Sequence, residues 1–220
     1  MNDEARQLVE KYLQLVGDEH RPVAERVVRC RDAPWYFREK LIGAPSHDAR
    51  KDHARVLKYA YNFLLNGAAV AFIREQKNRQ TPDLMIDGLV EQARFFVEVK
   101  KFRLVGSSSS HPASKIVSTV EGKRGQLPDN ELGLVAIDNF DIELESDGEA
   151  MTHDPIEQAL AELERLASEN RSGWKKPNGV IIAASTSGGI GVSIPHFVWL
   201  NKQAEPPLPT ELAEWIRGLF

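Results

Sequence analysis

The feature that most restricts the fold is the length of the apolar runs. AAVAFI, FFVEV, LGLVAID, GVIIAAS and FVWL are each strand-sized, and they alternate with stretches whose apolar residues fall at helical spacing. Strands of this kind bury both faces only in a sheet covered by helices, so the expected class is α/β, with a central mixed sheet flanked by helices. No run approaches the ~20 apolar residues of a membrane-spanning helix, so no membrane partner is expected. The 220 residues suit one domain, or one domain with a helical addition. A hydrophobic fraction of 42% beside 27% charged residues supports a packed core.

Residues 2–16 read as a helix through Ala5, Leu8, Val9, Tyr12, Leu13 and Leu15. Residues 22–42 are mixed: VAERVVRC suits a helix, and Trp35, Tyr36 and Phe37 add bulk. A longer helix is expected over 46–66, capped by Ser46, with a stripe of Leu57, Ala60, Tyr61 and Leu64 and with Gly67 at its end. Three strands are expected next, within 68–76, 83–87 and 94–102, the last two joined near Gly88. A polar loop at 106–114 leads to a short helix over 114–126 and a buried strand at 132–138. Asp154, Pro155 and Glu157 read as the cap and first turn of a helix carrying Ile156, Leu160, Leu163 and Leu166. Strands at 179–185 and 192–200 and a last helix complete the order. The division expected is an N-terminal helical extension, 1–45, packed on a core domain, 46–220.

A net charge of −4 argues against a broad nucleic-acid-binding coat but leaves room for a local positive cleft. Cys30 is the lone cysteine, so no internal disulfide and no CxxC metal site can form. The opening MNDEARQLVEKYLQLVG is charged throughout and has no signal-peptide core, so the expected location is cytoplasmic. No HExxH spacing or paired histidines suggest zinc, and no GxSxG elbow suggests a serine hydrolase. His53 reads as a surface histidine. STSGGIGVS lacks the ending of a phosphate loop and reads as a strand connection.

The segment TPDLMIDGLVEQARFFVEVKK, 81–101, carries the chemistry. Side chains alternate along a strand, so Val97 and Val99 face one way and Glu98 and Lys100 the other, roughly 7 Å apart. If 83–87 is the antiparallel partner, Asp83 and Glu98 fall near one end of the hairpin. Two carboxylates brought together repel unless a cation lies between them, and Mg²⁺ favours such a set with water and phosphate oxygens. The Val99 carbonyl is a further oxygen donor, and Lys100 would orient or deprotonate the attacking water or balance transition-state charge. The competing reading is an ordinary amphipathic hairpin.

Pro82–Asp83, a gap of fourteen residues, then Glu98-x-Lys100 on an apolar strand resembles the PD-(D/E)XK nuclease superfamily, the restriction-endonuclease-like fold. A helix, a three-strand meander, a helix and a fourth strand around the motif are similar to that family too. The resemblance implies Mg²⁺ (with Mn²⁺ as a substitute) held by Asp83, Glu98 and Val99, catalysis by Asp83, Glu98 and Lys100, and cleavage of nucleic acid, DNA more often than RNA. It also implies a following helix with side chains toward the site. Among Lys115, Lys123, Arg124 and Gln126, the pair Lys123 and Gln126 is assigned to substrate. Many members use an acid on the first helix; here only Asp48 or Asp52 is available. Such enzymes are often homodimers, though no residue here marks an interface. The alternative is a catalytically inactive module of the same fold that binds nucleic acid or a protein. Two basic clusters, Arg26, Arg29 and Arg31, and Arg171, Lys175 and Lys176 around Trp174, suit a phosphate backbone with base stacking, or are simply solvated.

Overall fold

The computed structural model of the chain describes residues 1–75, 81–88, 93–101, 112–139, 154–169, 174–184 and 196–219. It divides into two compact units, Met1–Val97 and Glu98–Gly218.

In the first unit, helix α1 (Asp3–Val16) is capped by Asn2, whose side chain accepts the Ala5 N–H at 2.8 Å. It buries Ala5, Leu8, Val9, Tyr12 and Leu13, whereas Leu15 is exposed. The mixed stretch after it forms α2 (Arg21–Val27), the short α3 (Ala33–Tyr36) and a π-helical turn, Phe37–Ile42. The left-handed backbone of Asp32 (φ 60°) separates α2 from α3, so one continuous helix cannot form there.

Helix α4 (His47–Leu65) begins where expected: the Ser46 hydroxyl accepts the Ala49 N–H at 3.1 Å. It ends with Gly67 in the left-handed region (φ 83°), its N–H bonded to the Leu64 carbonyl. The buried face differs from the expected stripe. It runs through Val56, Leu57, Tyr59, Ala60 and Phe63, with Tyr61 and Leu64 only half-buried. The reason is that α4 packs against α2 as well as against the strands, so its apolar sector turns toward both.

Strands β1 (Ala69–Phe72), β2 (Leu84–Asp87) and β3 (Arg94–Lys101) form an antiparallel meander, with Phe72 opposite Leu84 and Leu84 opposite Val97. The Gly88 N–H donates to the Ala93 carbonyl at 2.9 Å and closes the β2–β3 hairpin. Phe63 of α4 meets Phe95 of β3 edge-on, ring centroids 5.7 Å apart. The Phe72 N–H donates to the Arg31 carbonyl, extending the free edge of β1.

His53 is half-buried on α4 rather than on the surface, with its ring perpendicular to Tyr36 at 6.0 Å. Burial, and then the charge of Lys40, lower its pKa. The unfolded chain therefore takes up the proton first as pH falls. Stability is complete above about pH 6.5, the ordinary histidine value, and declines as pH drops through that value toward the lower folded one. Urea titrations of the wild type should show this decline, and His53→Gln should flatten it. Cys30 is also partly buried, and burial pushes its thiol up to about 11. Ellman's reagent at pH 8 should react slowly with the folded chain and at the rate of a free thiol in guanidinium.

In the second unit, β4 (Leu132–Asn139) and β5 (Gly179–Ala184) are parallel, with Leu134 opposite Gly179, and β6 (His196–Leu200) is antiparallel to β5. The strands follow the order β1 to β6 in a mixed sheet, the class expected. Helix α5 (Pro112–Arg124) packs on α6 (Asp154–Ser168), and α7 (Thr210–Gly218) buries Leu212 and Ile216. On α6 the buried residues are Ile156, Ala159, Leu163, Leu166 and Ala167. Its Glu164 accepts the Trp199 indole N–H at 2.9 Å. The element order agrees with that read from the sequence. The serine run 107–110, the acidic stretch 141–149, Arg171 and the glycine-rich 185–193 lie outside the described residues. No helix among the described residues is long and apolar enough to cross a membrane.

Two buried asparagines tie this unit together. The Asn178 carboxamide accepts the Gly133 N–H at 2.7 Å and donates to the Pro206 carbonyl at 2.6 Å. Asn201 donates to the Trp174 and Pro177 carbonyls and accepts the Gln203 N–H.

Candidate functional site

Strand β3 carries the two expected polar residues in different surroundings. Glu98 is 3% exposed and Lys100 is exposed, although alternation puts them on one face. Val97 and Val99 are buried as well, so both faces are covered at the level of Glu98, and the Glu98 face opens to water by Lys100.

Glu98 is held by α5. Lys123 Nζ donates to Glu98 Oε1 at 2.6 Å and to Gln126 Oε1 at 3.1 Å. The side chains of Glu98 and Lys123 are 4% and 21% exposed. An unpaired carboxylate at such depth would cost several kcal/mol, and the ammonium offsets much of that. Lys123 lies in the last turn of α5, where the helix dipole also favours a cation. Gln126 lies past the helix end rather than on it, in a turn where its N–H donates to the Lys123 carbonyl at 3.0 Å. Lys123 and Gln126, assigned to substrate by the resemblance, are thus bonded to each other, and Lys123 to Glu98.

Asp83 belongs to the first unit. It stands half-buried at the entrance to β2, after buried Pro82, and its N–H donates to the Val97 carbonyl at 3.1 Å. On α4 both first-helix acids are exposed; Asp52 lies 3.9 Å from Arg55. The same helix carries Arg55, whose side chain is 10% exposed, and half-buried Lys58. The half-buried polar residues that follow on this helix, Arg55 and Lys58, are thus basic.

Asp138 was not singled out in the sequence. It is 1% exposed at the end of β4, opposite Ala183 and, one strand further, His196. An ionisable residue closing the apolar strand LGLVAID was the available signal. Lys115 is half-buried on α5, and its carbonyl accepts the Thr119 hydroxyl.

Of the basic clusters, Arg26, Arg29 and Arg31 are exposed. At Trp174 the base-stacking alternative fails. The indole is 3% exposed beneath the Arg124 guanidinium, 4.9 Å from the ring centroid, so no base can stack on it. Beside it, Arg124, Asn130, Lys175 and Lys176 line a cleft of about 500 Å³. Its lysines are already engaged: Lys175 with Glu205 at 2.5 Å, and Lys176 with Asp129 and the Leu127 and Pro128 carbonyls.

Among the described residues no group of three or more His, Cys, Asp or Glu is placed to hold a metal. A Mg²⁺ site of one or two carboxylates and a carbonyl is a smaller set, and its hard oxygen donors match that ion. Glu98 also fits by environment, because its buried oxygen already holds a cation. No protein-family model, curated protein or solved structure matches the chain.

Proposed function

We propose that the chain is a Mg²⁺-dependent nuclease of restriction-endonuclease-like fold, hydrolysing phosphodiester bonds, with DNA as the expected substrate and the cytoplasm as its setting. One observation carries the reading: a nearly fully buried, ion-paired carboxylate, Glu98, two residues from an exposed lysine on the same strand. A hairpin that served only as structure would be better built with an apolar side chain at 98, since ion pairs at such depth rarely improve on good packing.

Asp83 and Glu98, with the Val99 carbonyl, would hold the metal. Bound there, Mg²⁺ supplies Lewis-acid polarisation of the phosphate and a more acidic water. Lys100 orients the attacking water and balances the charge that builds on the phosphoryl oxygens. Lys123 and Gln126 support Glu98 and meet the substrate.

The inactive-module reading has its own support, because Glu98 already has a counter-ion in Lys123 and both first-helix acids are exposed. The two readings separate on purified protein given linear duplex, circular duplex, single-stranded DNA and RNA, with Mg²⁺, Mn²⁺ or EDTA. Cleavage of at least one substrate that EDTA abolishes is the expected result. No cleavage of any of them leaves the binding module.

A further inference from the structure

We infer that Lys123 is an internal counter-cation that occupies the metal-binding oxygen of Glu98 and must leave it before a divalent ion can bind. The inference rests on the nuclease reading and adds to it a residue that sets metal occupancy.

The argument is steric and electrostatic. Lys123 Nζ lies 2.6 Å from Glu98 Oε1. Mg²⁺ binds carboxylate oxygens at about 2.0–2.1 Å. Both on one oxygen would stand about 4 Å apart in a buried setting, where like charges repel far more than in water. Glu98 cannot withdraw, since it is fixed on β3 with its side chain 4% exposed. Lys123 can, since its side chain is 21% exposed and flexible. A second acceptor can keep hold of the ammonium when it leaves Glu98. Gln126 Oε1 already accepts from the ammonium at 3.1 Å, and the end of α5 favours a cation there. Without metal, Lys123 pairs with Glu98 at 2.6 Å. With metal, the ammonium turns outward, where a phosphate is its natural partner.

The test uses two measurements on the full chain. In the first, Mn²⁺ binding is measured by calorimetry for the wild type, Lys123→Met and Lys123→Met/Glu98→Gln. Removing the competing cation should tighten binding about tenfold, the effect of one charge-assisted hydrogen bond. The double variant, whose neutral pair avoids a stranded charge, should bind far more weakly than Lys123→Met. Unchanged or weaker binding by Lys123→Met, with the wild type binding normally, overturns the inference and leaves the metal site standing. Binding by none of the three removes the nuclease reading itself. The second measurement needs no variant. Acetylation of the Lys123 amine in the wild type, followed by mass spectrometry, should speed up several-fold at saturating Mg²⁺. An unchanged rate at saturation overturns the displacement.

Discussion

Glu98→Gln should lower kcat/KM for metal-dependent cleavage by roughly 10³-fold, about 4 kcal/mol of transition-state stabilisation. The substitution keeps the size of the side chain and removes the charge, so it tests the carboxylate rather than the packing around it. Mn²⁺ binding should fall with activity. Lys100→Ala should divide the two readouts. It should lose about 10³-fold in kcat while Mn²⁺ binding stays near that of the wild type, because the exposed ammonium acts on water and phosphate rather than on the ion. Equal losses of binding in both variants would mean that Lys100 holds the site together instead of acting in the reaction.

Asn178→Ala should destabilise the second unit by about 4 kcal/mol. Asn178 is fully buried, and its carboxamide satisfies the Gly133 N–H and the Pro206 carbonyl. Alanine leaves both without that partner, at about 1–3 kcal/mol each, and adds a small cavity. The bond to Gly133 fixes the start of β4, and the Asn178 backbone takes part as well: its N–H donates to the Gly133 carbonyl and its carbonyl accepts the Asn201 N–H. A fall in Tm of roughly 10 °C by differential scanning calorimetry is expected for a chain of this size. A change under 2 °C would show that solvent or a backbone shift satisfies the two groups.

The strands were legible because burial on both faces writes itself as short apolar runs. LGLVAID and GVIIAA became β4 and β5, aligned in parallel over six residue pairs. Ser46 and Gly67 were legible as the ends of α4 because capping is local chemistry. The buried face of α4 was not. A stripe drawn through Leu57, Ala60, Tyr61 and Leu64 ignores that α2 also presses on the helix, which only the tertiary fold reveals. AAVAFIREQ promised a long strand, yet β1 stops at Phe72, where Arg74 is drawn into an ion pair with Asp32.

The candidate site divides in the same way. Alternation placed Glu98 and Lys100 on one face, but it could not say that one would be buried and the other exposed, since that depends on which elements cover the strand. Lys123 was legible as a cation near the site; its bond to Glu98, 25 residues away, was not. Asp138 passed unnoticed because an aspartate at a strand end is commonplace until its burial is known. Trp174 looked like a stacking platform because aromatic residues among basic ones often are. The fold instead buries it under Arg124.

The most direct test of the central claim compares wild-type chain and Asp83→Ala, purified side by side, on a supercoiled plasmid and a single-stranded DNA with Mg²⁺ in excess. The account predicts cleavage by the wild type that EDTA stops and that Asp83→Ala lacks, with both proteins equally folded by circular dichroism. Equal cleavage by the two, or none by either, would contradict it.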